Sequence, residues 1–145
     1  MMNSFLIYAL FVCELCYPIS LSNEALAVAA CESGDTVTLG SHQWYAFNDN
    51  TDGTTDGGAF QINDYWIWNP DDRWMLGPIA KNMGISSDEF VRNWPSPLAA
   101  PPSVQYVVFE YVWNNGYGWK HWSASKSCWS KWISIDKNGR AYFKP

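Results

Sequence analysis

Two carboxyl groups in this chain have neighbours that suit them to opposite tasks. Glu32 lies in Cys31-Glu32-Ser33-Gly34, at the end of the apolar run Asn23-Glu24-Ala25-Leu26-Ala27-Val28-Ala29-Ala30. Asp56 lies in Asn50-Thr51-Asp52-Gly53-Thr54-Thr55-Asp56-Gly57-Gly58. Partial burial against an apolar helix raises a carboxyl pKa and keeps a proton for donation near neutral pH. A polar, wet turn of Thr and Gly suits the ionised form instead. One neutral acid and one carboxylate in unlike surroundings is the pair that cleavage of a glycosidic bond requires.

The elements that must hold these groups can be read locally. Ser22 is an N-cap with Glu24 in the first turn, the alanines favour helix, and Gly34 ends it where a left-handed residue is usual. Asp52-Gly53, followed by Thr-Thr and Gly-Gly, predicts a tight turn between short strands. Beyond Asn63 the chain turns helical. Asn69 caps a helix opening on Pro70-Asp71-Asp72, and Gly77 to Gly84 is a short helical connection. Ile85-Ser86-Ser87-Asp88-Glu89-Phe90 is a capping box with a hydrophobic staple, and Pro95 ends that helix. Pro95 to Pro102 is expected as an extended surface loop. Val104, Val107, Val108, Tyr111 and Val112 recur at helical spacing, so a helix is expected there despite the β-branched residues, with Gln105 and Glu110 as polar positions between. Gly116 to Trp122 is expected as a loop leading to a short turn ending at Cys128.

At 145 residues the chain is one domain, with Met1 to Ser22 set apart by composition. Phe5 to Val12 is an apolar run too short to span a bilayer, and Ser20-Leu21-Ser22 is a small-x-small cleavage pattern. Residues 1–22 therefore read as a secretory signal, with a retained N-terminal helix as the alternative. Cleavage there leaves Cys31 and Cys128, and one bridge is the natural outcome. If the N-terminus is retained, Cys13 and Cys16 join them and three pairings are open. Zinc is disfavoured, since Cys13-x-x-Cys16 has no second Cys pair or close His pair. Calcium is disfavoured too, because Asn48-x-Asn50-x-Asp52-Gly53 starts on Asn and has Ala59 where a bidentate Glu belongs. No cofactor is expected.

The net charge of −5 argues against nucleic acid as partner. Six of the nine basic residues (Lys120, Lys126, Lys131, Lys137, Arg140, Lys144) nevertheless follow residue 119, against the single acid Asp136. Residues 130–145 are read as a basic tail, solvated or able to meet an anionic polymer such as a cell wall. Aromatic residues make up 17% of the chain, ten of them Trp, and their flat faces stack on sugar rings as well as in cores. His121 and His42 stand without a Ser or Cys nucleophile motif and are assigned to surface or core.

Asn50-Thr51-Asp52-Gly53-x-Thr55-Asp56-x-Gly58-x-x-Gln61-Ile62-Asn63 resembles the signature of c-type lysozymes. Cys31-Glu32-Ser33-Gly34, Gly57-Gly58-x-x-Gln61 and Gly116-x-Gly118-Trp119 with the later Cys128 are similar to the lysozyme-like domain of resuscitation-promoting factors and related transglycosylases. The resemblances cover roughly residues 23–129. They imply an α+β, mostly α, lysozyme-like fold with a small β-hairpin element and a cleft between two lobes. In both families the residue matching Glu32 is the general acid, and in the first the residue matching Asp56 is the second carboxylate. By the same resemblance Gln61, Asn63 and Trp66 are substrate-binding, with Trp66 the sugar platform and Trp119 the wall of the Glu32 pocket.

The expected activity is cleavage of the β-1,4 bond between N-acetylmuramic acid and N-acetylglucosamine in peptidoglycan. A lytic transglycosylase using Glu32 alone is the first alternative, and a non-catalytic sugar- or calcium-binding relative the second. The expected setting is a secreted or extracytoplasmic monomer acting on glycan strands, with no stable membrane association after processing.

Overall fold

The computed structural model describes residues 19–71, 75–115 and 117–144. The signal-peptide expectation, Cys13, Cys16, Asp72 and Gly116 lie wholly or largely outside them. Among the described residues the fold is α+β: five helices and two small antiparallel sheets, with helix predominating. In chain order the elements are α1 (Asn23–Glu32), β1 (Phe47–Asp49), β2 (Thr55–Gly57), β3 (Ile62–Asn63), α2 (Leu76–Asn82) and α3 (Ser87–Asn93). A 3-10 turn (Pro97–Ala99), α4 (Pro102–Asn114), a 3-10 segment kinked at Trp122 (Gly118–Ser125), α5 (Lys126–Trp129), β4 (Ile133–Ile135) and β5 (Ala141–Phe143) follow.

Helix α1 is the buried axis. Ala25, Ala27, Val28, Ala29 and Ala30 are all fully buried, so the helix has contacts on more than one face. Ser22 caps it as expected, its Oγ accepting from Ala25 N–H at 3.2 Å. Ser22 also donates its N–H to Tyr106 Oη (3.0 Å) and its hydroxyl to Glu110 (2.7 Å), and Leu21 packs on the core. The folded domain thus begins before residue 23, and Glu110 serves α1's cap. At the other end Gly34 is required for a different reason than expected. Its φ is not positive; a Cβ there would come 2.2 Å from the Ser41 carbonyl oxygen, so close approach of the 41 loop excludes any side chain.

Strands β1, β2 and β3 form one sheet in that order, with Asn48 and Asn63 both opposite Asp56. The β1–β2 turn has Gly53 at φ +86°, as an Asp-Gly turn demands. Helix α3 takes its expected cap, Ser86 Oγ accepting from Glu89 N–H at 3.1 Å. Helix α2 forms where the short helical connection from Gly77 to Gly84 was expected. Asn69 accepts from Asp71 N–H at 2.9 Å with residues 70 and 71 in a turn, and the rest of the helix expected from Pro70 falls on residues 72–74, outside the described ones.

Helix α4 forms where expected, with its buried stripe rotated. The buried positions are Val104, Gln105, Val108, Phe109, Val112 and Trp113, while Val107 and Tyr111 are only partly covered. Gln105, read as a polar spacer, is 0% exposed. It accepts from Ala59 N–H (3.1 Å) and donates to the Trp44 (3.0 Å) and Ala100 (3.1 Å) carbonyls. A buried amide is tolerable only when so satisfied. Phe109 stacks on Phe60 at 4.4 Å and meets Trp122 at 4.9 Å, joining α4 to the sheet side of the core. Burial of each such ring is worth about 1.5–3 kcal/mol.

Two stretches differ from expectation. Residues 95–102 are not simply extended: Ser96 caps the Pro97–Ala99 turn, and Pro97 and Ala100 are buried. Residues 130–144 of the expected basic tail are not a free tail. β4 and β5 pair as a hairpin, Ile133 is buried, and Phe143 N–H donates to Glu24 on α1 at 3.2 Å. Lys131 lies over the Trp132 ring with its Nζ donating to Thr36 O at 2.8 Å, and Lys126, just before this stretch, lies over Trp119. Among the described residues no helix is long and apolar enough to cross a membrane.

Candidate active site

Glu32 is the last residue of α1, so its side chain leaves a fully buried helix at the point where the chain turns away. Ser33 stops that turn from drifting: its Oγ donates to Ala59 O (2.9 Å) and accepts from Gln43 N–H (3.0 Å). The next loop is tightened by Asp35, whose Oδ1 accepts from Val37 N–H (2.9 Å), Thr38 N–H (2.7 Å) and Ser41 Oγ (3.0 Å). Hydrogen bonds, first those from Thr38, hold the Asp35 carboxyl well below the usual carboxylate range. On the helix side Cys31 is bonded to Cys128, with 5.8 Å between their Cα atoms.

Burial pushes the Glu32 carboxyl up to about 7; a hydrogen bond from Ser125 opposes that rise, and the charge of Asp56 adds to it. Glu32 is only half-buried by surface area. It is therefore enclosed by protein yet reachable from one side, as a proton donor must be.

Asp56 sits on the central strand β2. Asn63, its partner across the sheet, donates from Nδ2 to Asp56 Oδ1 at 2.8 Å and to Thr54 Oγ1 at 2.9 Å. The Asn63 Oδ1 accepts from the N–H groups of Tyr65 (3.0 Å) and Trp66 (2.8 Å). One amide thus fixes the Asp56 carboxylate and the turn that carries Trp66. Trp66 is 60% exposed and meets Tyr65 edge to face at 4.9 Å. Gln61 has φ +48°, uncommon for a residue with a side chain, and its Nε2 donates to Ala46 O (3.1 Å) and Gly58 O (3.0 Å).

Five of the residues singled out in the sequence, Glu32, Asp56, Gln61, Asn63 and Trp66, line a single pocket of about 550 Å³. Ile67, Met75, His121, Trp122 and Ala124 complete its wall. Trp119, expected as the wall beside Glu32, is not among them. Its indole N–H donates to Gly139 O at 3.0 Å and its ring meets Trp129, so it anchors the β4–β5 hairpin. The tryptophan three residues on, Trp122, takes the wall position. Its indole N–H donates to Phe60 O at 2.7 Å and its carbonyl accepts from Trp129 Nε1 at 2.8 Å.

The reading of residues 116–122 as a loop missed this: residues 118–125 form 3-10 turns broken by a kink at Trp122 itself (φ −112°, ψ 28°), which is buried while His121 stays exposed on the pocket rim. Ser125, which hydrogen-bonds Glu32 Oε1, was also missed. The one local hint was its place three residues before Cys128.

The chemistry available is acid–base, with a flat apolar platform beside it. Among the described residues no group of three or more His, Cys, Asp or Glu side chains is arranged to hold a metal. In the Asn48–Gly53 turn the oxygens serve the turn itself: Asp52 Oδ1 accepts from Thr54 N–H (3.0 Å) and Oγ1 (2.7 Å), and Asn50 Oδ1 from Asn48 (2.9 Å). Comparison of the chain with protein-family models, with curated proteins and with solved structures returned no match.

Proposed function

We propose that the chain is a peptidoglycan-cleaving glycosidase, a muramidase with a lysozyme-like fold and cleft, that cuts the β-1,4 bond between N-acetylmuramic acid and N-acetylglucosamine. The observation that carries this reading is the pairing in one pocket of Glu32, whose carboxyl is pushed up to about 7, with the Asn63-held carboxylate of Asp56. Glu32 protonates the leaving oxygen as the glycosidic bond breaks. Asp56 stabilises the positive charge developing on the sugar ring or attacks it, and water completes the hydrolysis. The exposed face of Trp66 stacks on a sugar ring of the bound strand. Asn63 and Gln61 keep the sheet side of the site in register. The Cys31–Cys128 disulfide supports an oxidising, extracytoplasmic setting.

The test is clearance of a peptidoglycan suspension by the purified protein, with mass spectrometry of the products. Hydrolysis leaves reducing-end muropeptides. A lytic transglycosylase leaves 1,6-anhydro ends and tolerates Asp56→Ala, which cripples the hydrolase. Glu32→Gln abolishes both activities. Binding of chitooligosaccharide without any clearance overturns the enzyme reading in favour of a sugar-binding protein.

A further inference from the structure

We infer that Ser125 is a positioning residue for the acid: its hydroxyl engages Oε1 of Glu32 and thereby assigns the transferable proton to Oε2. This deepens the glycosidase reading and rests on it for its catalytic consequence.

The argument is one of hydrogen-bond valence. A serine hydroxyl has one proton to donate. Ser125 Oγ reaches two acceptors, Glu32 Oε1 and, at 3.2 Å, the Trp122 carbonyl. That carbonyl already accepts the Trp129 indole N–H at 2.8 Å, so it is the poorer acceptor of the two. The hydroxyl therefore donates to Oε1, and does so most strongly when Glu32 is ionised, because a bond to a charged acceptor is roughly twice as strong as a neutral one.

Oε2 is in a different position: Ser125 engages Oε1, and the carboxyl itself lines the pocket, which leaves Oε2 as the oxygen on the pocket side. The open side of Glu32 is the pocket it lines. A proton on Oε2 is therefore presented to the substrate. A proton on Oε1 instead points at Ser125, forces the serine hydroxyl round to the crowded Trp122 carbonyl, and is lost to catalysis.

The covalent frame supports the same pairing. Cys31 immediately precedes Glu32, Cys128 follows Ser125 by three residues, and the two are bonded to each other. Acid and hydroxyl are thus held on two segments fastened at one point. The same contact opposes the rise that burial imposes on Glu32, which keeps the group able to return as a base after it has acted as an acid.

The experiment is a titration of the Glu32 side-chain carboxyl by carbon-13 NMR in the intact protein, alongside Ser125→Ala and Ser125→Thr, with Glu32→Gln to assign the signal. Ser125→Ala is expected to raise the Glu32 midpoint by about one pH unit. Ser125→Thr, which keeps the hydroxyl, is expected to restore it. On wall substrate below pH 6, Ser125→Ala should lower kcat about tenfold with KM unchanged, and the alkaline limb of its pH profile should move up with the NMR midpoint. An unmoved midpoint in Ser125→Ala overturns the hydrogen-bond assignment, and a moved midpoint with unchanged kcat overturns the positioning. Absence of any cleavage by the unaltered protein overturns the glycosidase reading separately, since the NMR midpoint reads without turnover.

Discussion

Replacing Glu32 by Gln should remove activity and at the same time make the protein more stable above pH 7. The Glu32 carboxyl rises from an ordinary 4.5 in the unfolded chain to about 7 in the folded one, chiefly through burial. Between those values the folded chain holds a proton that the unfolded chain has released, so stability falls as pH rises through this window. Below it both states are protonated and the group contributes nothing. Above it both are ionised and the folded state carries the full cost of an enclosed charge. At about 1.4 kcal/mol per pH unit the cost is at most about 3.4 kcal/mol, and solvent screening on the pocket side lowers this to about 2–3 kcal/mol. Gln has a similar shape, accepts the Ser125 hydroxyl through its carbonyl and carries no charge at any pH. Urea unfolding of both proteins at pH 4.5 and pH 8 measures the effect, and contributions from titrating groups not coupled to Glu32 cancel in the difference. The variant should be more stable by about 2–3 kcal/mol at pH 8, with most of that advantage gone at pH 4.5. A stability difference that does not change with pH, or a variant less stable at pH 8, refutes the account of Glu32 as an enclosed acid.

Trp66→Ala should weaken chitooligosaccharide binding five- to tenfold, about 1 kcal/mol, by isothermal calorimetry, with an unchanged melting temperature because the ring is mostly in solvent. Reduction of Cys31–Cys128, whose residues are 97 apart in sequence, should lower stability by up to about 4.7 kcal/mol in the chain-entropy limit and abolish wall clearance; thermal melts with and without reductant check it. Gln105→Leu removes the partner of the buried Ala59 N–H and Ala100 carbonyl and of the part-buried Trp44 carbonyl, and should cost about 3–4 kcal/mol in urea unfolding. Gly58→Ala should be comparably damaging, since φ is +81° and its Cβ would come 2.1 Å from Gln105 Oε1.

What could be read in advance was what is encoded locally. Ser22 and Ser86 declare helix starts because a hydroxyl followed by acidic or helix-forming residues acts within one turn. Asp52-Gly53 declares a hairpin turn for the same reason, and five of the candidate site residues did converge on one pocket. What depended on distant partners was not legible. Gln105 scores as polar in any periodicity count, and only the backbone groups of Trp44, Ala59 and Ala100, brought in from elsewhere, make it a core residue. Trp119 and Trp122 are chemically equal, and the choice of pocket wall was made by 3-10 turns kinked at Trp122, which no periodicity announces. The terminal hairpin is a different case. Asn138-Gly139, flanked by Ile133-Ser134-Ile135 and Ala141-Tyr142-Phe143, is a strong hairpin signal that the basic charge of the segment obscured.

Ala59 and Phe60, between β2 and β3, are gripped from three directions: by Ser33 beyond α1, by Gln105 of α4 and by the Trp122 indole. A hydroxyl, an amide and an indole do not ionise across the span of pH in which Glu32 changes state. The walls of the pocket are thereby clamped by groups indifferent to acidity, and the Glu32 carboxyl can gain and lose its proton without slackening the vice that aims it.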